Sequence, residues 1–243
     1  FALSFRLLLK HFSMKNKHFL LIVSLMSLLM TGCSSTTQSY IKTIRLALKD
    51  RSVNYTLDEI ANNKGDLMQI KAGERDQASL GLAFIDGDKH RWVSGDGVVF
   101  TLHHGVIVQT EGLDRDLYYT GNLLRNPLSG KDRLAYEWDR KVDIEGTGFG
   151  LPVFSTWRIE GEETKDYLGF SIRVLKLSEQ VSFPDSTPFI ETGLEWENTY
   201  YLDATTKELL ASKQKFSPQG DVYDMVYLSR VVRLMKSKGV IAQ

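Results

Sequence analysis

The sequence predicts a mainly β domain, an antiparallel sandwich or barrel, with a short N-terminal helix and a C-terminal helical tail. Three observations carry this. Glycines punctuate the first half densely, at Gly73, Gly81, Gly87, Gly95, Gly97, Gly105, Gly112 and Gly121. Short β-rich runs lie between them, the spacing of strands joined by tight turns. No alternation of strand and helix appears, which argues against a Rossmann or TIM fold.

The elements follow in order. Tyr40–Lys49 reads as a helix or an extended lead-in. Thr56 followed by Glu59 is a capping-box pattern that opens a short helix through about Asn62. Strand-like runs follow at 67–71, 79–85, 91–93, 98–102 and 106–110. Asp86-Gly87 and Asp96-Gly97 supply tight-turn chemistry, and His103-His104-Gly105 reads as another hairpin turn. The second half carries longer runs at 134–144, 153–160, 167–177, 195–202 and 208–216, with Thr205-Thr206-Lys207 as a hairpin connection. The C-terminal segment reads as a strand to about Leu228. A basic helical tail then holds Arg230, Arg233, Lys236 and Lys238.

The N-terminal region reads as an address. The chain starts at Phe1 and its first methionine is Met14, so residues 1–13 are expected to be a non-native upstream extension. Lys15, Lys17 and His18 then precede an apolar run of twelve residues, Phe19 to Met30, in the order of a secretory signal spanning 14–32. Twelve residues span roughly 18 Å, short of the ~30 Å hydrocarbon core, so a permanent membrane span is the weaker reading. Met30-Thr31-Gly32-Cys33 resembles a bacterial lipobox, with methionine where leucine is usual. The resemblance implies that the Cys33 thiol takes a diacylglycerol and that the new amino terminus is acylated, palmitate being a typical chain. Three acyl chains exceed what stable anchoring in a bilayer requires. Ser34 after the cysteine implies sorting to the outer membrane, and residues 33–39 form the lipidated tether. Cys33 is the only cysteine, so no internal disulfide is available.

Charge excludes other classes. Lys plus Arg equal Asp plus Glu at 30 each. Residues 1–32 hold four of the bases and no acid, which leaves the mature chain at −4. Nothing points to nucleic acid. Gly146-x-Gly148-x-Gly150 lacks the following helix that a phosphate loop needs and reads as a flexible loop. His103-His104 does not read as a metal site, because adjacent strand residues face opposite ways. No cofactor is implied. Glu160, Glu162, Glu163 and Asp166 read as a polar hairpin loop, and Glu195 and Glu197 as one solvated strand face. Trp92, Trp138, Trp157, Trp196, Tyr200 and Tyr201 read first as core. Trp138, Tyr200 and Tyr201 are the candidate glycan contacts, on the argument that one of two adjacent tyrosines faces outward.

The stretch Trp92-Val-Ser94-Gly-Asp96-Gly97, then Gly105-Val-Ile107-Val-Gln-Thr110-Glu-Gly112-Leu113 to Asp116-Leu117, resembles the GfcB/YjbF family of group 4 capsule and exopolysaccharide lipoproteins. So does Trp196-Glu-Asn198-Thr-Tyr200-Tyr-Leu202-Asp203, continuing to Ser212-Lys-Gln214 and Pro218. The resemblance implies a bent antiparallel β-barrel-like single domain over 40–243, anchored in the outer membrane and facing the periplasm. It implies an accessory, non-enzymatic role in assembling or exporting surface polysaccharide, with polysaccharide or export-machinery proteins as partners, and it supplies no catalytic residues. The competing readings are a periplasmic glycan-modifying enzyme and a chaperone-like partner of an outer-membrane export protein.

Overall fold

The structure is a computed structural model that describes residues 41–45, 54–130, 136–183 and 194–241. The chain divides into two compact units, 1–43 and 44–243, and the second holds the fold. Residues 41–45 are helical. The expected extension, signal, lipobox (Met30, Thr31, Gly32), Cys33 and tether lie outside the described residues. Among the described residues no helix is long and apolar enough to cross a membrane.

Helix α1 spans Leu57–Ala61 and opens on the capping box the sequence announces. Glu59 N donates to Thr56 Oγ1 at 3.3 Å, and Thr56 N donates to Glu59 Oε2 at 2.8 Å. Twelve strands follow: β1 Leu67–Ala72, β2 Ala78–Asp86, β3 Lys89–Ser94, β4 Val99–His103, β5 Val106–Glu111, β6 Leu117–Thr120, β7 Glu137–Ile144, β8 Gly148–Tyr167, β9 Phe170–Ser182, β10 Glu195–Asp203, β11 Leu209–Gln214 and β12 Tyr223–Val226. Helix α2, Leu228–Ser237, closes the fold.

All the strands form one antiparallel sheet in the order β5-β4-β3-β2-β1-β12-β11-β10-β9-β8-β7-β6. It curls into a nearly closed barrel, bringing the two edges together where β5 runs into β6. Side chains bridge that seam: Thr110 Oγ1 donates to Asp116 Oδ1 at 2.8 Å and accepts from Leu117 N at 2.8 Å. Asp116 also receives Gly112 N and Leu113 N, at 2.9 and 3.1 Å. Two open edges are thus turned on each other, which removes a template for edge-to-edge pairing.

The interior is packed with rings. Trp92, Trp138, Trp157 and Tyr200 are all buried, and Trp157 stacks on Tyr200 with centroids 4.7 Å apart. Among them runs a polar network. Glu179 Oε2 accepts from Asn198 Nδ2 at 2.9 Å and from the Tyr200 hydroxyl at 3.0 Å, while Arg140 Nη1 lies 2.9 Å from Glu179 Oε1. The Arg140 guanidinium sits 4.1 Å over the Trp138 ring. Gln214 joins the network to the wall by accepting from Ile107 N and donating to Gly105 O. A buried charge is tolerated only when paired and hydrogen-bonded, and Glu179 is both. Burial and the neighbouring Glu179 carboxylate push the Tyr200 hydroxyl well above its usual range.

A second core lies outside the sheet. Val231, Leu234 and Met235 of α2 cover Tyr201, Leu210, Val174 and Ile172. Arg233 fastens the helix to Asp66 through two bonds, of 2.6 and 2.9 Å.

Three expectations change. Glu160, Glu162, Glu163 and Asp166 belong to β8, a twenty-residue strand, and the turn is only Leu168-Gly169. Here Tyr167, Ile172 and Val174 on one face of the β8–β9 hairpin pack under α2, while Glu160, Glu162 and Asp166 point the other way into solvent. Arg173 pairs with Glu162 at 3.0 Å across the hairpin. Gly148 and Gly150 likewise begin β8 rather than forming a loop, with Gly150 N donating to Asp143 Oδ1 at 2.6 Å. Strand β6 was not anticipated, being four residues long with Tyr118 and Tyr119 both exposed.

Candidate functional site

Strand alternation places the β2–β3, β4–β5, β6–β7, β8–β9 and β10–β11 connections at one end of the barrel. The start of α2 lies at the same end. A cavity of about 380 Å³ opens there, walled by Leu128, Leu202 and Leu209 and rimmed by Asp88, His90, His104, Lys207, Glu208 and Arg230. Its size falls at the small end of ligand sites, roughly 300–1,000 Å³.

Two hairpin turns build the rim. In the β4–β5 turn His104 and Gly105 both have positive φ, 51° and 96°. Such a turn matches the twist of its strands and favours Asn-Gly. Gly105 has no alternative, since a Cβ there would stand 2.1 Å from Leu209 Cδ2. The left-handed conformation of His104 breaks the strand alternation and brings its ring beside that of His103, with centroids 4.6 Å apart and planes at 84°. The sequence argument that the two rings point apart therefore fails at this turn. His104 Nε2 lies 3.6 Å from Asp88 Oδ2.

Asp88, His103 and His104 bring one ligand atom each within 4.8 Å of one another. His103 is nonetheless already committed. Asn126 Nδ2 lies 3.1 Å from its Nδ1 and donates to its carbonyl at 2.8 Å, while Asn126 Oδ1 accepts from Leu128 N at 3.0 Å. Those last two bonds fix the amide, so His103 Nδ1 accepts and the ring proton sits on Nε2. A mononuclear cation needs that nitrogen bare. Burial, then the neighbouring His104, lowers the His103 pKa to about 4, and the ring is neutral.

In the β10–β11 turn, Asp203 Oδ1 accepts from Thr205 N and Thr206 N at 3.1 and 2.8 Å. Lys207 closes the turn, its N–H donating to Asp203 O at 3.0 Å and its φ at 61°. Its ammonium donates to Ala204 O at 2.7 Å. Burial pushes the Asp203 carboxyl up, but hydrogen bonds from Lys238 and Thr206 outweigh it and hold it below its usual value. Arg230 reaches over from α2: Nη1 donates to Leu209 O at 3.0 Å, Nε lies 3.7 Å from Glu208 Oε1, and the guanidinium covers the Tyr227 ring at 4.1 Å. Burial, then Arg230 and His104, lowers the His90 pKa. The rim thus offers a neutral imidazole at His90, two cations and two carboxylates around an apolar wall.

A family model described as group 4 capsule polysaccharide lipoprotein GfcB, YjbF matches residues 41–228. The chain belongs to this family. Among similar proteins is the Escherichia coli (strain K12) protein named uncharacterized lipoprotein GfcB, 24% identical over 213 residues, covering 86% of this chain and 97% of the relative. Among solved structures, the hypothetical lipoprotein YmcC from Escherichia coli K12 matches with a TM-score of 0.66 at 22% identity. It covers 77% of this chain and 94% of that one. That likeness shows the fold, an antiparallel, nearly closed barrel.

The three aromatic residues proposed as glycan contacts of this capsule lipoprotein are not on its surface. Trp138 and Tyr200 are fully buried in the barrel, and Trp138 Nε1 donates to Asn122 O at 3.0 Å. Tyr201 does face the other side of β10, but α2 lies on it. The assumption of a solvated outer face fails there, and none of the three rings can stack on a sugar. The cavity escaped the sequence because its lining comes from residues as scattered as 88, 90, 104, 207, 208 and 230. One signal was available: the three histidines beyond residue 18, namely His90, His103 and His104, all converge on this end.

Proposed function

We propose that this lipoprotein is a non-enzymatic accessory factor in assembling or exporting capsule-like polysaccharide. Acylated Cys33 would hold it to the outer membrane, facing the periplasm. The observation that carries the reading is the family match over 41–228, which takes in the whole barrel. The pocket is consistent with holding rather than cutting, since Asp88 and Glu208 each face a basic side chain, His104 and Arg230. Deleting the gene tests the role. Surface polysaccharide should fall and be restored by the wild-type chain but not by Cys33→Ser. The purified domain, incubated with that polysaccharide, should release no new reducing ends. Unchanged polysaccharide would refute the accessory role, and turnover would make the protein an enzyme.

A further inference from the structure

Among the described residues, four non-glycine residues have positive φ: His104, Asn122, Leu168 and Lys207. Asparagine tolerates that conformation. Leu168 is compensated by packing under α2. The other two stand in different hairpins, remote in sequence, and both line the same cavity. The His104 ring meets His103 edge-on and the Lys207 ammonium reaches Ala204 O, yet glycine or asparagine would fit either turn with less strain. Strain of this kind persists where the side chain itself is needed.

We infer, on the basis of the functional reading above, that this pocket binds a short saccharide segment bearing a carboxylate. Sugar hydroxyls need both acceptors and donors; Asp88 and Glu208 supply the first, His90 and Arg230 the second. The sugar's C–H face would lie on the wall of Leu128, Leu202 and Leu209. Lys207 is the group that selects an acid. Its ammonium meets a backbone carbonyl and no carboxylate among the described residues. Behind Gly105 the Tyr227 hydroxyl is buried with no hydrogen-bond partner among the described residues.

The test uses fragments of the host's own surface polysaccharide, separated by anion exchange into acidic and neutral pools. These are titrated into the folded protein by calorimetry and by two-dimensional NMR. The acidic pool should bind, with shifts centred on His90, His104, Lys207 and Glu208, and added salt should weaken it. Lys207→Gly should unfold at a higher temperature than wild type yet bind about tenfold more weakly, the worth of one charge-assisted hydrogen bond. Lys207→Asn, which keeps the turn without the charge, should lose affinity similarly. Equal binding of the neutral pool, unaltered affinity in both variants, or binding of neither pool would each overturn the assignment. The polysaccharide phenotype of the deletion is read separately in cells, so failure here leaves the accessory role standing.

Discussion

Replacing Arg140 by methionine isolates the most exacting contact in the barrel. Methionine keeps most of the stem but removes the guanidinium that sits over Trp138 and lies 2.9 Å from Glu179. Glu179 is fully buried, so its carboxylate loses its counter-ion with no water to replace it. Breaking a buried pair from one side costs about 3–5 kcal/mol. Asn198 and Tyr200 still donate to the carboxylate, which places the expected loss at the lower end, about 3 kcal/mol. For a domain of this size that lowers Tm by roughly 6–12 °C. Urea unfolding followed by tryptophan fluorescence measures it, since Trp138 lies directly under the missing group. The double variant Arg140→Met, Glu179→Gln should recover part of the loss, because the unpaired charge is gone. A loss under about 1 kcal/mol, or a double variant costing the sum of both singles, would refute the claim that the pair is coupled.

Other outcomes follow from the same structure. Cys33→Ser should abolish incorporation of a fatty-acid probe, and a labelled variant would exclude the lipobox assignment. Asp116→Ala should cost about 2 kcal/mol in urea unfolding, because it strips the Gly112 and Leu113 amides and Thr110 of their acceptor at the β5–β6 seam. His103 should make stability depend on pH in a stated direction. Its folded pKa of about 4 lies below the unfolded 6.5, so the contribution is complete above 6.5 and is lost as pH falls toward 4. Allowing for solvent screening the loss is roughly 2 kcal/mol. His103→Gln, which keeps an acceptor for Asn126, should flatten that slope, and an unchanged slope would show another group responsible.

Turns and rings were legible in the sequence because their causes are local. Thr56 and Glu59 cap a helix wherever they stand, and Asp86-Gly87 turns a hairpin without outside help. The tryptophans at 92, 138 and 157 go inside because nothing else this large is available to fill a barrel. What escaped depends on partners distant along the chain. Tyr201 is buried by a helix thirty residues away in sequence. Glu160 to Asp166 resemble a loop because what covers the inner face of their hairpin is α2, far along the chain, and not a neighbouring strand. The histidine pair misleads because the period of two holds in a strand and ends at a left-handed turn.

With three tryptophans, a tyrosine and a buried ion pair across its bore, the barrel is a solid plug. A polymer has no axial route through it, whatever the width suggested by twelve strands. Any saccharide chain this protein handles would have to pass across its outer surface or lodge in the cavity at one end.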